Sequence, residues 1–330
     1  MVNLAINGIG RIGKLVLRLL ISKNYNVKYL NELNGNTSSL IHSIEFDSIH
    51  GKWQTNLEEG KNIIKINDKS IKTTFFENIN DLSLDDIDIM IDCTGAHKSS
   101  SKLQKYFDKG VKKVIVSAPC KNADKTIVYG VNENTLKKND KIISAASCTT
   151  NCLAPVAYVL NNNYQIEKGF MTTIHAFTTD QRILDNSHKD PRRARSASQS
   201  IVPTSTGASK AIGDIIPSLK GKLEGVAMRV PTPNVSLIEL VFCTKRDLSV
   251  EKINKSFLDE SKKSLKGVLD ITKEKLVSVD FNHNSLSAII DASLTSVVGK
   301  NMGKISAWYD NEWGFSNRMC DIAETLHKIS

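Results

Sequence analysis

Cys148 and Cys152 stand four residues apart in SCTTNC, residues 147–152, with only threonines and an asparagine between them. Thiols so placed could be zinc ligands, disulfide partners, core residues or a nucleophile. Zinc calls for further ligands, and no second cysteine pair has suitable spacing among positions 93, 120, 243 and 320. A disulfide between residues i and i+4 of one helix has poor geometry. A nucleophile needs a base, and of the seven histidines His175 is the best placed, ending the β-prone run GFMTTIHAF ahead of the loop TTDQRILD. His50 precedes a glycine turn, His188 lies in a basic loop, and His327 falls in a C-terminal helical pattern. Cys152, Leu153, Val156, Ala157, Val159 and Leu160 recur at helical spacing. They predict a helix with Cys148 at its mouth, where the positive end favours a thiolate, and with Cys152 one turn along in the core. Pairing with His175 predicts a thiol pKa below the ordinary value of about 8.5 and a proton acceptor within reach.

These residues need a scaffold. Residues 2–7 (VNLAIN) are β-prone, and Gly8-Ile9-Gly10-Arg11-Ile12-Gly13 follows. Ile12, Leu15, Val16, Leu19 and Leu20 then mark a helix. Strand, glycine turn and helix is the context that gives a G-x-G-x-x-G match its weight. The glycines let the backbone approach a pyrophosphate, and the helix start offers N–H groups to the anion. A second strand, VKYLNEL (27–33), carries Glu32, which can accept from a ribose 2′-hydroxyl and would repel a 2′-phosphate, so NAD is favoured over NADP. Further apolar runs at 87–95, 111–119 and 141–148 stop at small polar residues. In a parallel sheet Thr94, Gly95, Ser117, Ser147 and Cys148 would gather along the edge that holds the dinucleotide.

The second half alternates differently. MTTIHAF, GVAMRVP, VSLIELVFC, VSVDFN, SAIIDASLTSVV and KISAWYD are β-prone without a helix between each pair. They predict a mostly antiparallel sheet covered by helices at 209–217, 249–264 and 317–328. The fold class is therefore α/β: a doubly wound parallel-sheet Rossmann domain plus an α+β catalytic domain. The expected division is 1–147, joined by the C-terminal helix 315–330, and 148–314. A chain of 330 residues is consistent with two domains.

The net charge of +9 comes from 44 Lys and Arg against 35 Asp and Glu, yet no basic run exceeds two residues. A solvated surface is the reading, with no nucleic-acid partner required. MVNLAINGIG enters a strand at once and has no signal-peptide pattern. The uncharged stretch 142–165 is too polar for a membrane span. Six cysteines form no disulfide framework, and reduced thiols in a cytoplasm fit.

ASCTTNCLAPV, TTIHAFTTDQ, HKDPRRAR, IVPTSTGASKAIG, AMRVPTPNVS and WYDNEWGFSNR, with the opening AINGIGRIGKLVLR, resemble the phosphorylating glyceraldehyde-3-phosphate dehydrogenase family. The resemblance runs from the first strand to the final helix. It implies that Cys148 attacks the aldehyde, that NAD takes the hydride, and that phosphate cleaves the acyl thioester to release 1,3-bisphosphoglycerate, with His175 as base and oxyanion partner. It assigns the substrate phosphate to Thr178 and Arg229, with Arg193 nearby, and inorganic phosphate to Ser147, Thr149, Thr206 and Gly207. For NAD it implies Arg11 and Ile12 at the pyrophosphate, Glu32 at the adenosine ribose, Ser117 along the crevice, and Asn311 on the nicotinamide carboxamide. The loop from about 178 to 202 lies between subunits in that family, which implies a homotetramer.

Four positions depart from the family pattern. Glu32 stands where Asp is usual, Asn78-Ile79-Asn80 replaces a frequent Arg-Asp-Pro beside the adenine, Ser187 replaces a proline, and Phe315 replaces a tyrosine. Glu at the second-strand end also occurs in the related erythrose-4-phosphate dehydrogenases, which makes that activity the rival reading. Thr178 and Thr206-Gly207 speak against it, since those enzymes diverge there. A catalytically inactive nucleic-acid-binding module would lack Cys148 or His175. A non-phosphorylating aldehyde oxidiser would make NADH without phosphate.

Overall fold

The computed structural model describes residues 2–329, and the chain divides into two compact units. The first comprises residues 1–127, 133–147 and 316–330; the second comprises 128–132 and 148–315.

In the first unit the order is β1 (Asn3–Asn7), α1 (Arg11–Ser22), β2 (Asn26–Asn31), α2 (Thr37–Glu45), β3 (Leu57–Gly60), β4 (Ile63–Ile66), β5 (Lys69–Thr74), β6 (Ile89–Asp92), α3 (Ser100–Phe107), β7 (Lys113–Val116), β8 (Lys125–Thr126) and β9 (Ile142–Ser144). Among the described residues they form a nine-stranded sheet in the order β3-β4-β5-β2-β1-β6-β7-β9-β8. Strands β2, β1, β6, β7 and β9 run parallel, and their near-continuous Val, Ile and Leu content fits strands covered on both faces. The face of α1 set by Leu15, Val16, Leu19 and Leu20 is buried, as the periodicity requires. Asn36 caps α2 by accepting from the Ser39 backbone N–H, while the Ser39 hydroxyl donates to the Asn36 carbonyl. The antiparallel β3–β4–β5 meander lies outside the expected strands, because its strands are short and their apolar residues are interrupted by Glu58, Glu59, Lys65, Lys69 and Lys72. Strand β2 stops at Asn31, so Glu32 lies just beyond it rather than within it.

In the second unit come α4 (Cys148–Tyr164), β10 (Ile166–Ala176), β11 (Val202–Ser205), α5 (Ala208–Ile215), β12 (Leu223–Val230), β13 (Ser236–Thr244), α6 (Val250–Ser261), β14 (Leu269–Thr272), β15 (Ala288–Asp291), β16 (Ser296–Val298) and β17 (Met302–Tyr309). Helix α7 (Trp313–Ile329) starts in this unit and continues in the first. The sheet order is β11-β12-β10-β13-β17-β15-β14, with β16 on β17. Most pairs are antiparallel, but β10 pairs β12 in parallel, which sets His175 directly opposite Arg229. VSVDFN, expected as a strand, is a 3₁₀ turn at Ser278–Phe281: the Asp280 carboxylate accepts from the Val277 N–H, a local bond that competes with a ladder. The run 287–298 is likewise broken, by a turn at Ala292–Leu294 where Asp291 accepts from the Ser293 N–H.

Candidate active site

Cys148 is the first residue of α4, and His175 is the penultimate residue of β10. Their Sγ and Nε2 atoms are 3.5 Å apart. Cys152, one turn along, is fully buried in the core. His175 is only 3% exposed. Burial and then the nearby Arg229 charge lower its pKa to about 3, against a smaller opposing effect of the Ala176 carbonyl, so the ring is neutral at physiological pH. The expected depression of the thiol pKa is not found. Burial pushes Cys148 above its ordinary value, outweighing the Arg229 charge and the hydrogen bonds of the first helical turn, which act the other way. The helix terminus is favourable, but it is weaker than desolvation here.

Arg229 fills the space behind the histidine. Its Nη1 is 2.6 Å from Nδ1 of His175 and donates to the Ala176 carbonyl at 3.0 Å. Nδ1 itself lies 2.6 Å from that carbonyl. Arg193 donates from Nε and Nη2 to Thr204 Oγ1 at 3.0 and 2.9 Å and pairs with Asp180, and both charges act on Arg229. Thr178 follows β10, its carbonyl accepting from Gln181 N–H at 2.9 Å. Thr206 and Gly207 form the turn into α5, where the Thr206 hydroxyl accepts from the Ala208 N–H at 3.2 Å. Ser147 immediately precedes α4 and ends its stretch of the first unit.

Three residues escaped sequence reading. The Tyr309 hydroxyl, wholly buried, bridges Thr149 Oγ1 at 3.0 Å and Thr173 Oγ1 at 2.8 Å, and its ring meets His175 edge-on. Ser236 donates to Asn311 Oδ1 at 2.8 Å and accepts from the Ala176 N–H at 3.0 Å, tying Asn311 to the end of β10. Val235, just before it, has φ +66°, a left-handed conformation that a β-branched residue adopts only under constraint. No short-range pattern marks these contacts. Phe315 is buried.

In the first unit, Gly8 has φ +87°, and a side chain there would strike the Thr94 backbone at 2.7 Å. A Cβ on Gly13 would lie 1.9 Å from the Gly8 carbonyl oxygen, whereas one on Gly10 would meet nothing. The start of α1 has no side-chain cap and no acidic residue in its first turn, so Gly10, Arg11 and Ile12 present backbone there. The Arg11 side chain turns away to Asp47, at 2.5 Å, so its part at a pyrophosphate would be through its N–H. Lys14 joins the same carboxylate at 2.6 Å. Burial raises the Asp47 pKa, but the Arg11 and Lys14 bonds and the Ile49 and His50 N–H groups hold it far below the carboxylate range.

Glu32 accepts from the Ile9 N–H at 2.6 Å and the Leu33 N–H at 2.7 Å, which fixes the carboxylate against the glycine turn. At the carboxyl ends of adjacent strands Asn31 donates to Asn7 (2.8 Å), Asn7 to the Tyr106 hydroxyl (2.6 Å), and Tyr106 to Asp92 (2.8 Å). Asp92 also accepts from Thr94 Oγ1 at 2.7 Å and is 2.7 Å from His97 Nδ1. Gly95 takes φ +68°. Ser117, after β7, donates its N–H to the Asp92 carbonyl at 3.0 Å. Glu77, Asn78, Ile79, His97, Lys102 and Lys105 line a cavity of about 490 Å³.

A parallel sheet with an uncapped helix behind a glycine turn, and an acidic side chain locked beside it, defines a dinucleotide-binding dehydrogenase domain. The residues present fit NAD: the backbone approach at Gly10 is open, and the Glu32 carboxylate is held against the glycine turn. Residues 2–100 match the family model described as glyceraldehyde 3-phosphate dehydrogenase, NAD binding domain, and residues 147–311 match that of the C-terminal domain. The chain is 46% identical to "Glyceraldehyde-3-phosphate dehydrogenase" of Cereibacter sphaeroides over 99% of both chains. It is 46% identical to the protein of that name from Xanthobacter flavus, again over 99% of both. With "Glyceraldehyde-3-phosphate dehydrogenase 2" of Staphylococcus aureus strain Mu50 the identity is 46%, over 98% of this chain and 95% of the relative. The chain belongs to the glyceraldehyde-3-phosphate dehydrogenase family, and its first unit is an NAD-binding domain.

Proposed function

We propose that the protein oxidises D-glyceraldehyde 3-phosphate with NAD+ and inorganic phosphate to 1,3-bisphosphoglycerate. The observation that carries this reading is the 3.5 Å approach of Cys148 Sγ to His175 Nε2 at the start of α4, with Arg229 immediately behind the ring. Cys148 adds to the aldehyde carbon as His175 takes the thiol proton, and the imidazolium then donates to the developing oxyanion. NAD, when bound, supplies a hydride acceptor, so that the thiohemiacetal becomes an acyl thioester. A thioester keeps enough acyl-transfer potential for phosphate to displace the thiolate, which returns Cys148 unchanged.

Two anions need two cradles. Arg229 and Thr178, with Arg193 nearby, suit the substrate phosphate; Ser147, Thr149, Thr206 and Gly207 suit the attacking one. Tyr309 holds Thr149 in place through its hydroxyl. Asn311, oriented by Ser236, suits a carboxamide. Glu32 suits the adenosine ribose and the cavity beside Asn78 the adenine, with Asn78 in place of the usual arginine. A homotetramer in the cytoplasm, serving glycolysis or gluconeogenesis, completes the proposal. Residues 1–147, joined by 315–330, serve in this reading as the NAD-binding domain, and 148–314 as the catalytic domain.

The test is NADH formation from glyceraldehyde 3-phosphate with and without inorganic phosphate, beside erythrose 4-phosphate. Strict dependence on phosphate is expected. Turnover without phosphate, or a preference for the four-carbon sugar, would replace this reading with one of its rivals.

A further inference from the structure

Asn311 is pinned through the backbone on both sides of it. Tyr309, two residues earlier, ends β17 and pairs with Ser236 of β13. The buried Asp310 carboxylate accepts from the N–H groups of His283, Glu312 and Trp313 at 2.7, 2.9 and 2.8 Å. What the backbone leaves free is the side-chain amide of Asn311. An amide has two ends of nearly equal size and opposite hydrogen-bonding character, so shape alone does not choose between them.

Ser236 makes that choice. The ladder between β10 and β13 stops at Ile174 and Leu237, and Val235, just before β13, takes φ +66°. Beyond the ladder the Ala176 N–H donates to the Ser236 hydroxyl at 3.0 Å, and the hydroxyl donates to Asn311 Oδ1 at 2.8 Å. Ser236 is 1% exposed, and among the described residues neither its hydroxyl nor the Asn311 amide has a further hydrogen bond. The Ala176 N–H can only donate, so the hydroxyl proton needs an acceptor elsewhere, and Asn311 Oδ1 is the one in reach. With the amide turned round, two donors would face one oxygen and the buried hydroxyl proton would be stranded, which is costly. The bond therefore fixes both the plane of the amide and the end that lies against Ser236. The Nδ2–H groups and the second lone pair of Oδ1 remain for a ligand.

We propose that Ser236 is a positioning residue for the cofactor, one that sets the Asn311 amide for the nicotinamide carboxamide before NAD arrives. This deepens the reading above and rests on one part of it, that Asn311 meets the carboxamide. A side chain already held in one orientation loses no rotamer freedom on binding, and each of its hydrogen-bonding groups stands at a set position. Without the hydroxyl the amide turns about its last bond and offers its two ends alternately. NAD then has to order it. A ligand with the same adenosine diphosphate ribose but no nicotinamide has nothing there to order, so the effect of Ser236 is confined to one ring of the cofactor.

The experiment is calorimetric titration of the full chain with NAD and with ADP-ribose, which lacks the nicotinamide. Ser236→Ala should bind NAD roughly 3- to 10-fold more weakly, the size of one lost hydrogen bond, with ADP-ribose affinity unchanged. Asn311→Ala should weaken NAD by at least as much, again sparing ADP-ribose. Equal weakening of both ligands by Ser236→Ala would make the serine a merely structural residue and overturn the proposal. Undiminished NAD affinity in that variant would overturn it too. Should Ser236→Ala not fold, Ser236→Cys, close in shape and a far weaker donor, carries the same expectation and the same two refutations. The two claims separate at Asn311→Ala. A loss of NAD affinity there but not in the serine variant removes the positioning role and keeps the carboxamide contact, whereas no loss in either removes both.

Discussion

A thiol attacks only after it has lost its proton, and burial at this site opposes charge on both Cys148 and His175. Cys148→Ser should abolish oxidation while leaving NAD binding intact, read by NADH formation and cofactor titration. His175→Asn should lower the rate by roughly 10²- to 10⁴-fold, the usual size of a general-base loss. The same histidine shapes acid stability. Its pKa is about 3 when folded and near 6.5 when unfolded, so below pH 6.5 the unfolded chain binds the extra proton. Its contribution is fully present above pH 6.5 and is lost as pH falls toward 3, at no more than about 1.4 kcal/mol per pH unit. Urea denaturation at pH 6.5 and 4.5 should show a steeper loss for the unaltered protein than for His175→Asn.

Among the elements, α1 separates packing from ligand contact. Gly13→Ala would drive a methyl into the Gly8 carbonyl and should destabilise by about 1–3 kcal/mol or more. Gly10→Ala meets no protein atom, so stability should hold while NAD affinity falls if the cofactor backbone approaches there. Calorimetry of both variants, with and without NAD, checks this. The first turn of α1 is further clamped by Asp47, whose side chain is inaccessible and pairs with Arg11 and Lys14. Asp47→Ala removes the buried carboxylate that Arg11 and Lys14 share and should cost on the order of 3 kcal/mol in a denaturant titration. Asp47→Asn should behave similarly at neutral pH and lose less on acidification.

At the scale of the whole molecule, the loop from 178 to 202 leaves Ile183, Leu184 and Ile201 exposed, and β10 exposes Phe170. Large apolar side chains on a surface mark contacts, and a tetramer would cover them. Sedimentation should show a tetramer, and Leu184→Asp should shift it toward smaller species; a monomeric unaltered chain would remove the proposal. Much of this molecule was legible in its order of residues. The glycine turn, Cys148 and His175 announce themselves through local spacing. Arg229 opposite His175 depends on the parallel pairing of β10 with β12, and Tyr309 on an approach across some 160 residues of chain, neither of which local periodicity encodes. The 3₁₀ turn at Ser278–Phe281 defeated a β-prone reading because one aspartate offered its backbone a nearer partner. The row of Asn31, Asn7, Tyr106 and Asp92 has a final consequence. Aliphatic strands interlock almost equally well when slid along one another, but Asn31 lies beside Asn7, and Asn7 beside Asp92, in one alignment alone. Any other would leave amides and a carboxylate buried without partners, so these side chains act as a notch that admits a single assembly of the sheet.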